Sequence, residues 1–143
     1  MKKIVKILIL LIGFVIQAQN PMPEFRTLIG KIVDFKGEPM PGQTIIIKST
    51  ELGTTTDWDG NFCLVVPENQ IIFIEISCCF TPIFRAIEPD DKYVKIKIGR
   101  KSQERKNKKA YNKWKPIKDS LPIIMKRIYS EVDYDKIAEN ICR

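Results

Sequence analysis

Histidine is absent from all 143 residues. Without it, no Ser–His or Cys–His pair can activate a nucleophile, and no zinc site with an imidazole ligand can form. Glycine is scarce, with 7 residues, so each marks a place where the backbone has reason to turn. Internal repeats are lacking. Only one apolar run is long, Ile4 to Ile16, and it falls short of the about 20 residues that span a bilayer. Lys2, Lys3 and Lys6 give it a basic start, and Gln17-Ala18-Gln19 follow. That is the pattern of a secretory signal peptide over 1–19, cleaved near Ala18 or Gln19, with retention as an anchor the alternative. No cysteine lies near the cleavage point, which excludes a lipid anchor there. Acidic residues almost vanish between Arg100 and Lys118, where nine basic side chains face one acid, Glu104.

What the chain does contain is organised around Gly30 to Phe62. Asp34-Phe35-Lys36-Gly37 is a turn, because the Asp carboxylate accepts from amides ahead of it and Gly37 tolerates a positive φ. Pro39, Pro41 and Gly42 make a second bend. Thr44-Ile45-Ile46-Ile47-Lys48 is β-branched throughout its apolar part and suits a strand. Asp57-Trp58-Asp59-Gly60 is a further turn, separating Thr54–Thr56 from a strand over Asn61–Val66. Other strands are expected over Phe25–Val33, Gln70–Cys78, Thr81–Ile87 and from Val94 to Ile98, with alternation of apolar residues in each.

Three stretches carry a family resemblance. They are Gly30-Lys31-Ile32-Val33-Asp34, Gly37-Glu38-Pro39-Met40-Pro41-Gly42, and Gly53 to Asp57 followed by Trp58-Asp59-Gly60-Asn61-Phe62. Over Phe25 to Ile98 the chain resembles the carboxypeptidase-regulatory-like domain. The resemblance implies an all-β fold, a seven-stranded Ig/transthyretin-like β-sandwich. Such domains occur at the N-terminus of TonB-dependent outer-membrane receptors and on other envelope proteins. One departure is Cys78-Cys79-Phe80, where relatives carry a glycine–aromatic pair. Peptidase activity is not implied, and hydrolases of the transthyretin-like type depend on the missing histidines.

The expected organisation is a signal peptide over 1–19, a sandwich over 20–99, a basic linker over 100–119 and a helical segment over 120–143. Charge divides along these lines: −3 over 20–98 and +7 over 99–143. The basic run is expected to be solvated and mobile, because it has too little apolar surface to offset its ordering entropy. Beyond it, Ser120 is a candidate cap for a helix bearing Leu121, Ile124, Met125, Ile128 and Val132, and Asp133 a cap for a short turn bearing Ile137 and Ile141. Removal of 100–143 is expected to leave the sandwich folded.

Candidate sites are few. Asp57, Asp59 and Asn61 alternate like part of a calcium loop, but Thr55 and Val66 occupy the first and twelfth ligand places, so a plain turn is the expectation and no metal site is assigned. Trp58 at the turn tip is a candidate binding residue for a sugar or a protein. Gly37, Gly42 and Gly60 are structural turn residues. Cys63, Cys79 and Cys142 are candidates for a disulfide in an oxidising compartment, and the pairing stays open. No catalytic residue and no cofactor are called for. The expected function is that of an exported, non-enzymatic module at the periplasm, outer-membrane periphery or cell surface. It would join an envelope protein or outer-membrane complex in trans. The alternative is a carbohydrate-binding module using Trp58. The basic tail is expected to meet anionic lipid or glycan, and export argues against nucleic acid.

Overall fold

The computed structural model describes residues 23–77, 82–99 and 101–142. The export segment read over 1–19, Cys79 and the Cys78–Phe80 corner lie outside them. The described chain is mostly β, in two sheets, followed by helices. The strands are β1 (Phe25–Val33), β2 (Thr44–Ile47), β3 (Gly53–Thr55), β4 (Asn61–Pro67), β5 (Ile72–Ile76), β6 (Ile83–Ile87) and β7 (Tyr93–Lys97). One sheet has the order β4-β1-β7 and the other β3-β2-β5-β6. β1 runs antiparallel to β4, with Leu28 opposite Leu64, and parallel to β7, with Ile32 opposite Ile96.

The alternation of side chains explains the core. Leu28, Ile32, Leu64 and Val66 point one way from the first sheet, and Ile45, Ile47, Ile72, Ile74 and Ile76 share the other side of it; all are completely buried in one cluster. Gly30 belongs to the inward row because a Cβ there would lie 2.3 Å from the Phe62 ring, its cross-strand partner. The missing side chain is the space that ring fills.

The turns are built from the expected residues. The Asp34 Oδ1 accepts from the backbone N–H of Lys36, Gly37 and Glu38, each at 2.8 Å. Gly37, Gly42 and Gly60 stand at φ of 99°, 68° and 75°. Gly60 is the most constrained. A Cβ on it would come within 2.4 Å of the Ile32 carbonyl oxygen, which itself accepts from Met40.

After the strands the structure departs from the sequence-based expectation. The run read as a mobile linker over 100–118 is instead a helix, α1 (Lys101–Trp114), continued by a 3-10 turn at Lys115–Ile117. Its ordering comes from tertiary contact: α1 lies along β6, burying Gln103 and Ala110. Two further helices follow, α2 (Leu121–Tyr129) and α3 (Tyr134–Ile141). Ser120 does not cap α2 with its side chain; its hydroxyl donates back to the Ile117 carbonyl oxygen at 3.1 Å. Val132 falls beyond α2. Asp133 caps α3, accepting from the Lys136 N–H at 3.2 Å.

The helices are also part of the core. Leu121, Met125 and Tyr134 are buried in the same cluster as the strand residues. The Tyr129 ring meets Phe25, with centroids 5.6 Å apart. The helices cover Val65, a fully buried apolar residue on the outer row of β4, so removal of 100–143 is expected to destabilise the strands rather than leave them unaffected.

Gly60→Val is expected to lower stability by about 2 kcal/mol or more, since it combines a left-handed backbone with a backbone clash. A thermal or urea melt checks this. An unchanged midpoint would show that the turn tolerates a β-branched residue.

Candidate functional site

The Asp57–Gly60 turn presents Trp58 to solvent, with 89% of its surface exposed. The turn is rigid because Asp57 Oδ1 accepts from the N–H of Asp59 at 2.9 Å and of Asn61 at 2.8 Å. The Asn61 N–H, followed by its side-chain amide and the Asp59 N–H, holds the Asp57 carboxyl below the usual carboxylate range, against a smaller opposing effect of desolvation. These oxygens are thus committed to the turn, and no cluster of three or more metal-ligating side chains occurs among the described residues. Behind the turn, Thr56 donates to the Met40 carbonyl oxygen at 2.7 Å and accepts from the Gln43 N–H at 2.8 Å. A hollow of about 360 Å³ separates Trp58 from Pro41 and Gly42. Among the described residues, no second aromatic side chain lines it.

Among the three cysteines left open by the sequence, Cys63 on β4 is bonded to Cys142 just beyond α3, with Cα atoms 5.6 Å apart. Their separation of 79 residues closes a long loop. The bond fastens the last helix to the outer face of the β1–β4 pair, where Cys63, Val65 and Thr27 share a row. A groove of about 440 Å³ opens beside it, between Thr27, Ile29, Thr54, Asn61 and Ile141.

The same face holds two phenols, Tyr134 buried and Tyr129 partly buried. Tyr129 Oη lies 3.5 Å from the Val65 carbonyl oxygen, and the Tyr134 ring meets Tyr129 edge-on at 5.7 Å. Burial raises the pKa of Tyr129 well above its ordinary value, and it raises that of Tyr134 against the opposing hydrogen bond to Val65.

The richest constellation lies on α1, which sequence reading passed over as a charged linker. Asn107 serves the free edge of β6. Its Oδ1 accepts from the Phe84 N–H at 3.2 Å and its Nδ2 donates to the Pro82 carbonyl oxygen at 3.2 Å. The side-chain amide thereby stands in for one peptide of a neighbouring strand. Its Oδ1 also accepts from Arg85, a residue only 7% exposed, whose pKa burial lowers to about 10. Farther along, Trp114 meets Phe84 edge-on at 5.9 Å and Tyr111 at 5.5 Å, while Phe84 stacks on Phe73 at 5.6 Å. A groove of about 410 Å³ runs between these rings, bordered by Lys48, Glu75, Asn107 and Lys108. Gln103, Asn107, Ala110 and Trp114 recur at spacings of four, three and four, so a seam was present in the sequence. Two of its members are polar, which hid it from an apolar-only count.

Residues 28–113 match the family described as the CarboxypepD_reg-like domain, and the chain belongs to that family. The match includes most of α1 and stops before α2. The TonB-dependent receptor SusC of Bacteroides thetaiotaomicron is 35% identical over 69 residues, covering 48% of this chain and 7% of the receptor. The TonB-dependent receptor P3 of Formosa agariphila is 34% identical over 73 residues, covering 50% of this chain and 7% of the receptor. The matched stretch thus spans only a small fraction of those relatives' length.

Two outcomes are expected from this geometry. Replacing both Cys63 and Cys142 by Ser should lower stability by about 2–4 kcal/mol, read from denaturant melts, because the long loop is no longer closed in the unfolded chain. A melt indifferent to the change would leave α3 held by packing alone. The second concerns pH. Tyr129 and Tyr134 have raised folded-state pKa values, so their contribution is fully present below the ordinary phenol value near 10 and is lost as pH rises beyond it. Stability should fall above pH about 10, less steeply in Tyr129→Phe. Equal slopes in both proteins would refute the assignment.

Proposed function

We propose that this chain is a non-catalytic interaction module of the bacterial envelope, a transthyretin-type, seven-stranded β-sandwich whose C-terminal helices form part of the domain. The observation that carries the reading is membership of the CarboxypepD_reg-like family, with TonB-dependent receptors as relatives. The absence of histidine agrees with a role outside hydrolysis. The relatives support an envelope location, and the N-terminal pattern is read as a signal for export to the periplasm or outer-membrane periphery. An envelope protein or outer-membrane complex is the proposed partner.

The surface offered to that partner is the solvent side of α1. Arg105, Lys106, Lys108 and Lys109 are exposed there. The ion pairs found among the described residues, Lys48–Glu75 and Lys113–Glu88, involve none of them. Such a surface favours an acidic partner and speeds its encounter. Anionic lipid or glycan is a second class of target for the same charge. A sugar-binding role through Trp58 is supported by its exposure, although no second ring among the described residues stands beside it to form a platform.

Affinity capture from envelope fractions tests the main reading, using the exported chain against its Lys106→Glu, Lys109→Glu double variant. The expected result is enrichment of an envelope protein by the parent, reduced at least fivefold in the variant and weakened by salt. Equal recovery of every envelope protein by both baits would sink it. Binding to a glycan array that disappears in Trp58→Ala would favour the sugar reading instead.

A further inference from the structure

We infer that the groove between α1 and the outer face of the β2-β5-β6 sheet receives an acidic peptide segment of the partner, with one aromatic side chain entering the groove. The inference rests on the interaction-module reading and names where and how the contact is made.

The groove is lined mainly by carbon. Its walls are the rings of Phe84, Tyr111 and Trp114, and its volume of about 410 Å³ falls in the range of roughly 300–1,000 Å³ usual for ligand pockets. Tyr111 is half exposed, whereas the ring of Phe84 is backed by Phe73, so the floor is fixed and the rim is open. The rings already meet one another edge-on or tilted, an arrangement that a further flat ring can join.

The polar groups at the border decide the class of ligand. Lys48 is paired with Glu75 and lies 6.0 Å from the centroids of both Phe84 and Trp114. Asn107 has its oxygen occupied twice and its nitrogen donating to Pro82. Lys108 is the border group with neither an ion pair nor a hydrogen bond among the described residues. A sugar ring carries hydroxyls around its edge, and each would lose water here with few partners to replace it. An aromatic side chain brings little such cost. Its flanking residues would run over Lys108 and toward Arg105 and Lys109, which favour carboxylates. An apolar anchor beside acidic neighbours is the chemistry of a peptide segment, with a central ring providing most of the affinity and rim charges providing selectivity.

The test is fluorescence anisotropy with a labelled peptide, Asp-Glu-Asp-Trp-Asp-Glu-Asp, on the full chain. Its Trp→Ala form and anionic phosphatidylglycerol vesicles serve as comparisons. Saturable binding is expected, at least fivefold weaker for the Trp→Ala peptide, for Tyr111→Ala and for Lys108→Glu, and weaker as salt rises. Both altered residues reach solvent, and a melt of each variant confirms folding. No binding up to about 1 mM peptide, or binding unchanged in both variants, would overturn the inference. Vesicle binding lost in Tyr111→Ala while the peptide fails to bind would also overturn it, by assigning the groove to lipid. Envelope capture that survives in the Tyr111→Ala, Lys108→Glu double variant would remove the groove and leave the interaction module standing.

Discussion

Burial of apolar side chains on the outer faces of the two sheets governs the second half of the chain. Val65 on β4 and Phe73 on β5 point away from the space between the sheets, yet both are buried. Tyr129 and Tyr134 reach over the first, and Phe84 with Trp114 lies over the second. Each face of the β structure is therefore matched by its own part of the C-terminal segment. The disulfide from Cys63 to Cys142 ends this arrangement by tying the last helix back to the strand it covers. A long closed loop of this kind acts mainly by restricting the unfolded chain.

The same segment answers a second need. β6 is at the margin of its sheet, where unpaired peptide groups invite association with other strands. Asn107 fills part of that edge with a side-chain amide, and α1 shields the remainder. Because α1 spends its inner face on Gln103, Asn107, Ala110 and Trp114, its outer face is left to lysine and arginine. A basic surface next to an aromatic groove is a consequence of one helix serving two neighbours. The functional reading grows from that placement, since a solvated linker of the same composition would offer charge without a fixed geometry.

Rigidity elsewhere comes from short-range chemistry. Asp34 and Asp57 each gather several backbone amides on one oxygen, and a glycine completes each turn. Acidic side chains that a motif search would offer as ligands are in this way consumed by the backbone. Trp58 is held on such a turn, but among the described residues the nearby hollow is formed by Pro41, Gly42, Thr56 and Asp57, without another ring. An aromatic platform exists instead on the outer face of the β2-β5-β6 strands, built from residues far apart in sequence.

The strands, the turns at Asp34 and Asp57, and the family were legible in the sequence because they depend on local patterns: alternation with a period of two, carboxylates ahead of free amides, and glycine where φ is positive. Polarity concealed the rest. Nine basic residues between Arg100 and Lys118 outweighed a seam in which Asn107 and Gln103 stood where apolar residues are usually sought. Only the tertiary structure decided that α1 is ordered, since its inner face gains a partner when β6 and Phe84 come alongside. The pairing of Cys63 with Cys142 was likewise beyond local reading, because it requires the last helix to return to β4 across 79 residues. Local chemistry sets the elements, and the burial of outward-facing Val65 and Phe73 decides where the helices must go.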